Sequence, residues 1–144
     1  MPSHNHRRNI AKQAIRTCKE YFIRILIGID AKFPMSIWDQ LIPQANITVN
    51  LLRQSNVHPH LSIWYHYNGL FDYNTIIMSP VGCRVLIYKP VNIRTLWGAH
   101  AIDGFYTGPA MHHYRSFTVF SSKTRSIKIS NIQLQSLKLH PKTK

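Results

Sequence analysis

Residues 114–132, YRSFTVFSSKTRSIKISNI, are the stretch on which the fold turns. Tyr114, Ser116, Thr118 and Phe120 alternate with Arg115, Phe117 and Val119, the two-residue period of a half-buried strand. From Ser126 to Ile132 the alternation resumes, Ile127, Ile129 and Asn131 against Lys128 and Ser130. Between the two runs, Ser121-Ser122-Lys123-Thr124-Arg125 is polar and short, so the runs read as a hairpin. Upstream, Cys83-Arg84-Val85-Leu86-Ile87-Tyr88 is a strand rich in apolar residues that Lys89-Pro90 ends. Residues 102–107 form another, interrupted by Gly104 and stopped by Gly108-Pro109. Four or five short antiparallel strands packed into residues 77–132 suit a small β-barrel better than a sandwich.

The chain before residue 77 has the other period. Ile10, Ala14, Cys18, Phe22 and Leu26 recur every four residues, with Ala11, Ile15 and Ile25 widening the face, and Gly28 supplies the stop. Arg8, Lys12, Arg16 and Lys19 fall on the opposite side as a cationic stripe. Ser36 followed by Asp39 is a capping-box pattern and opens a second helix to about Arg53. Its expected buried face is Trp38, Leu41, Ala45, Thr48 and Leu52, with a kink at Pro43. A short helix over residues 61–67 ends at Asn68-Gly69. The expected class is therefore α+β: helices over 1–76, a barrel over 77–132 that stands as its own folding unit, and a basic tail over 133–144.

Charge is the strongest signal about partners. Of 144 residues, 18 are Lys or Arg and only 5 are Asp or Glu, a formal charge of +13. The excess is +5 in residues 1–32, −1 in 33–80 and +9 in 81–144. A near-neutral connector between basic ends points to a polyanion, nucleic acid before an anionic membrane. The hydrophobic fraction of 44% is enough for a modest core. No apolar run reaches the length of a membrane helix, and no secretory h-region follows the polar start. Cys18 and Cys83 make neither a metal pattern nor a disulfide framework, which fits a reducing intracellular setting, nuclear or cytoplasmic.

Catalytic constellations are hard to assemble. His4 and His6, His58 and His60, and His112 and His113 are close pairs, but none has a third ligand at metal spacing. A Gly-x-Ser-x-Gly elbow and a Gly-rich phosphate loop are absent. Five scattered carboxylates do not make a two-metal site. No cofactor and no metal are expected. Arg84, Lys89, Arg94, Arg115, Lys123, Arg125 and Lys128 remain, interleaved with Tyr88, Trp97, Phe105, Tyr106, Tyr114 and Phe117. The charges suit phosphate contacts, whereas the aromatics are expected to fill the barrel.

Several runs resemble a known family. RRNIAKQAIRT (7–17) is similar to the last helix of the catalytic core of a copia-like retrotransposon integrase. FPMSIWDQLIPQANITVNLLRQS (33–55) and LSIWYHYNGLFDYN (61–74) resemble the helical region after it. PVGCRVLIYKP (80–90) and WGAHAIDGFYTGPAMHHYRSFTVF (97–120) look like the small Src-homology-3-type barrel that follows. The resemblance implies a ribonuclease-H-like core using two aspartates and a glutamate. The glutamate position is Lys12 here, a cation that would repel Mg²⁺, and the aspartates would lie upstream of Met1. What the resemblance implies is thus a non-catalytic integrase remnant that is not an enzyme and binds nucleic acid, DNA foremost and RNA as the alternative. The expected contacts are Arg8, Arg16, Arg84, Lys89, Arg94, Arg115, Lys123, Arg125 and Lys128. No membrane partner is expected. Self-association through the first helix would cover an apolar face that has lost the core's sheet. A remnant with no selected activity is the competing expectation.

Overall fold

The alternating segments form an antiparallel meander of four strands. They are β1 (Arg84–Tyr88), β2 (Ala101–Pro109), β3 (Phe117–Ser121) and β4 (Ser126–Ser130), hydrogen-bonded in that order. The computed structural model describes residues 10–130. Ahead of the sheet lie α1 (Ile10–Gly28), a 3-10 turn (Met35–Leu41), α2 (Ile42–Leu52) and α3 (Ile63–Asn68). The class is α+β, as expected. The sheet itself is open, with β1 and β4 as its edges.

Two expectations about strand limits are corrected. β3 begins at Phe117 and not at Tyr114. Ala110 N–H donates to Ser116 O at 2.9 Å and Arg115 N–H to Thr75 O at 3.0 Å, which makes residues 110–116 a hydrogen-bonded loop. Arg115 also has φ 48°, a left-handed conformation outside the extended region of a regular strand. β2, expected to break at Gly104 and stop before Gly108, runs through both to Pro109. A Cβ on Gly104 would lie 2.5 Å from Ile87 Cδ1 and 2.6 Å from Phe120 O, so glycine is what lets three strands close up there. The register slips between Tyr106 and Gly108, a bulge in which Thr107 Oγ1 donates to Thr118 O at 2.9 Å.

Both faces of the sheet are apolar, which the alternation alone does not reveal. One face carries Val85, Ile87, Tyr106, Phe117 and Val119, packed with Ile77 and Cys83. The other presents Phe105 and Phe120 to Phe33 and Leu41, and around these lie Phe22, Leu26, Ile29, Ile37 and Val81. The C-terminal half of α1 therefore packs into this second cluster through Phe22 and Leu26. Its N-terminal half does not: Ile10 and Ile15 are 81% and 69% exposed.

The second helical segment also departs from expectation. Ser36 makes no cap, since Pro34 precedes the 3-10 turn, and the Asp39 carboxylate instead accepts from the Gln40 side-chain amide at 2.8 Å. The break in direction falls at Ile37 (φ −111°, ψ 23°). Pro43 sits in the first turn of α2, where a missing N–H would have had no partner anyway, so it does not kink the helix. A change from three residues per turn to 3.6 shifts the phase of the face. Leu41, Gln44, Ala45 and Val49 are buried, whereas Trp38 and Leu52 are exposed. Gln44 ties α2 to the chain ahead of β1, its Nε2 donating to Ser79 O at 2.7 Å. In α3, Ser62 Oγ accepts from Tyr65 N–H at 3.1 Å and Gly69, φ 75°, closes the end as expected. Among the described residues no helix is long and apolar enough to cross a membrane.

Candidate nucleic-acid interface

A meander places alternate connections at the same end of the sheet. The β1–β2 loop (residues 89–100) and the β3–β4 turn (residues 122–125) leave the same end of the sheet, the turn three residues short of the loop because Ser121 pairs with Gly104, while residues 110–116 lie at the opposite end. That arrangement sorts the expected cations. Lys89 and Arg94 lie on the loop and Lys123 and Arg125 on the turn, at one end of the sheet, and neither connection contains an Asp or Glu. Lys128, in edge strand β4, pairs with Val119 and is exposed.

The other expected contacts fare differently. Arg115 is exposed at the far end. Arg84 Nη2 donates to Asp103 Oδ2 at 2.7 Å across β1 and β2, and the nearby carboxylate raises its pKa further. Arg16 Nε donates to Glu20 Oε1 at 2.8 Å one turn along α1, with the same effect. Both guanidiniums thus carry a partner that competes with phosphate. Arg8 lies outside the described residues.

One cation that sequence reasoning passed over joins the site. Lys32, with Pro34 and Ser36, faces Ser122 and Arg125 across an open cleft of about 400 Å³ whose floor is Phe105 and Phe120. Lys32 sits within the turn closed by Phe33 N–H donating to Asp30 O at 2.9 Å, and its own N–H donates to Asp30 Oδ1 at 2.8 Å. Only the packing of the helical segment on the sheet brings it to Arg125, so no local signal could have found it. Arg125 is itself left-handed, φ 49°, a conformation that costs an L-residue about 1–2 kcal/mol.

The aromatics divide in two. Phe105, Tyr106 and Phe117 are buried as expected, Phe33–Phe105 and Tyr106–Phe117 meeting edge-on with centroids 5.5 and 5.6 Å apart. Burial raises the Tyr106 phenol far above its usual value. The expectation fails for Tyr88, Tyr114 and above all Trp97, which is 95% exposed. Tyr88 and Trp97 belong to the basic end; Tyr114 belongs to the other.

Groups with catalytic potential are placed less suggestively. Burial pushes the Cys83 thiol up, away from thiolate chemistry. The Asp72 carboxylate is held low by Thr75 Oγ1 and by the Asn74 N–H, inside its own turn. Lys12 is exposed on α1. The His58 ring packs against His66, centroids 5.3 Å apart. Among the described residues no three His, Cys, Asp or Glu side chains are grouped to hold a metal ion.

Comparison with known proteins finds no matching family model, no matching curated protein and no matching solved structure.

Proposed function

We propose that this chain is a non-catalytic, retrotransposon-integrase-derived fragment that binds nucleic acid, DNA foremost, without sequence choice. The observation that carries the reading is the placement of Lys89, Arg94, Lys123 and Arg125 on two carboxylate-free connections at one end of the sheet. Lys32 and Lys128 extend the patch towards the cleft and the β4 edge. Cations of this kind contact phosphate, which gives affinity independent of base identity. Among the described residues no α-helix lies at that end to serve as a major-groove reader. The open meander fits the greater part of a small Src-homology-3-type barrel, in which the face that carries Val85, Ile87, Tyr106, Phe117 and Val119 would be the enclosed one. The setting is intracellular, in line with two free cysteines. Phosphate, not a membrane, is the partner of the patch, with structured RNA as the competing ligand. A second copy docking on the exposed half of α1 is the proposed mode of self-association.

Salt dependence tests the reading. Binding by phosphate neutralisation lowers log affinity linearly with log salt, by about 0.9 per phosphate on duplex DNA. With four to five cations engaged, the slope should be roughly −4. Replacing Lys123, Arg125 and Lys128 together by Ala should flatten it by about two to three. Affinity that does not change with salt, or a triple variant that binds undiminished, would sink the proposal. The same DNA, with Mg²⁺ or Mn²⁺ added, should remain uncut and unjoined.

A further inference from the structure

We propose that the β1–β2 loop is a stacking platform for an unpaired base, with the Trp97 indole as its surface, so that the preferred ligand is a single strand. This rests on the nucleic-acid reading above and names the form of ligand taken at that end of the sheet. Trp97 is 95% exposed and Leu96 beside it 87%. Tryptophan offers more apolar surface than any other side chain, and an indole wholly in water contributes nothing to the fold.

The loop that carries it is held. Lys89 N–H donates to His100 O at 2.8 Å across its base, and Arg94 Nε donates to Lys89 O at 2.7 Å. Ile93 N–H donates to Pro90 O at 3.0 Å, and Gly98 N–H to Thr95 O at 3.2 Å just after the indole. A ring presented on an ordered backbone loses little freedom on binding. Lys89 and Arg94 on the same loop supply charge for the strand that an indole-bound base would bring with it.

A flat π face among cations matches a ligand with exposed π faces on an anionic backbone. In a duplex those faces are already stacked; in a single strand they are free. An anionic lipid surface would meet the same cations. It would also require the loop's apolar side chains to enter hydrocarbon together, and here Asn92, Arg94 and Thr95 alternate with Val91, Ile93 and Leu96.

The test compares Trp97→Ala and Trp97→Phe with the unaltered chain. The ligands are a labelled oligothymidine, a duplex of equal length, and phosphatidylserine–phosphatidylcholine vesicles. Trp97→Ala should lose about tenfold on the single strand, keep its duplex affinity and keep its melting temperature, and Trp97→Phe should recover most of the loss. Equal affinity of Trp97→Ala and the unaltered chain for the single strand would overturn the inference while the nucleic-acid reading stands. An equal loss on duplex, or a loss confined to vesicles, would overturn it too. If the unaltered chain binds neither nucleic acid, both readings fall.

Discussion

Two side chains, Asp103 and Tyr106, each govern one measurable property of the protein. Asp103 is the only carboxylate within the sheet, and it holds Arg84 at 2.7 Å. The pair is roughly half exposed, so solvent screens it and its loss should leave stability nearly unchanged. Asp103→Asn should therefore leave the fold intact and release a cation: duplex affinity should rise and the salt slope steepen by up to about 0.9. A variant with unchanged affinity would show that Arg84 faces away from the ligand. Tyr106 is the other case. Its side chain is wholly buried, its hydroxyl accepts only a long bond from Ser79 N–H at 3.4 Å, and burial raises its pKa above the ordinary 10.0. The unfolded phenol ionises first, so above pH 10 the unfolded state binds fewer protons than the folded one and stability falls as pH rises. The fall approaches about 1.4 kcal/mol per pH unit from this group alone, while below pH 10 its contribution is constant. Tyr106→Phe should remove that alkaline component from melting temperatures measured between pH 8 and 11. An unaltered alkaline limb in the variant would assign it elsewhere.

At the level of elements, the β3–β4 turn trades stability against charge. Arg125 occupies a left-handed position that glycine adopts without strain. Arg125→Gly relieves about 1–2 kcal/mol and returns part of it as extra freedom in the unfolded chain. The net expectation is a gain of about 0.5 kcal/mol in denaturant unfolding, with duplex binding weakened and its salt slope flattened by about 0.9. Stability and binding moving in opposite directions is the signature; a variant that loses both would mean the arginine supports the turn itself. Elements also show where patterns mislead. Ser36 and Asp39 have capping-box spacing, yet Pro34 and the 3-10 geometry leave neither residue placed to cap. Trp38 and Leu52 have helical spacing from Leu41 and Ala45, yet the break at Ile37 and the change of pitch turn them to solvent.

In the whole molecule, Phe105 and Phe120 are the joint between halves. Their burial depends on Phe33 and Leu41, with Phe22 and Leu26 from α1 on the rim. Uncovering a large buried side chain costs about 1.5–3 kcal/mol, and here two would be uncovered on one sheet face. A fragment of residues 77–132 should consequently melt at a much lower temperature than the full chain and bind a hydrophobic dye. Cooperative melting of that fragment at the full chain's temperature would show that the other face, built on Val85, Ile87, Tyr106, Phe117 and Val119, suffices.

Sequence by itself determined the α+β class, the strand segments of the meander, the stop at Asn68-Gly69 and the surplus of cations. All of these are local: a period of two, a turn residue with positive φ, a count of charges. What only the tertiary structure decided is how distant segments meet. Paired alternation places Phe105 and Phe120 on one face and Tyr106 and Val119 on the other, but does not say that helices cover the first. Nor does it tell Arg84, neutralised across two strands by Asp103, from Arg94, which is free of any carboxylate on its loop. Trp97 and Tyr106 are both aromatics in a basic, strand-rich stretch; one is in water and the other is sealed. The physical reason is the same each time. Burial and pairing belong to the contacts a side chain makes across the fold, and those contacts exist only once chain segments far apart in sequence have packed together.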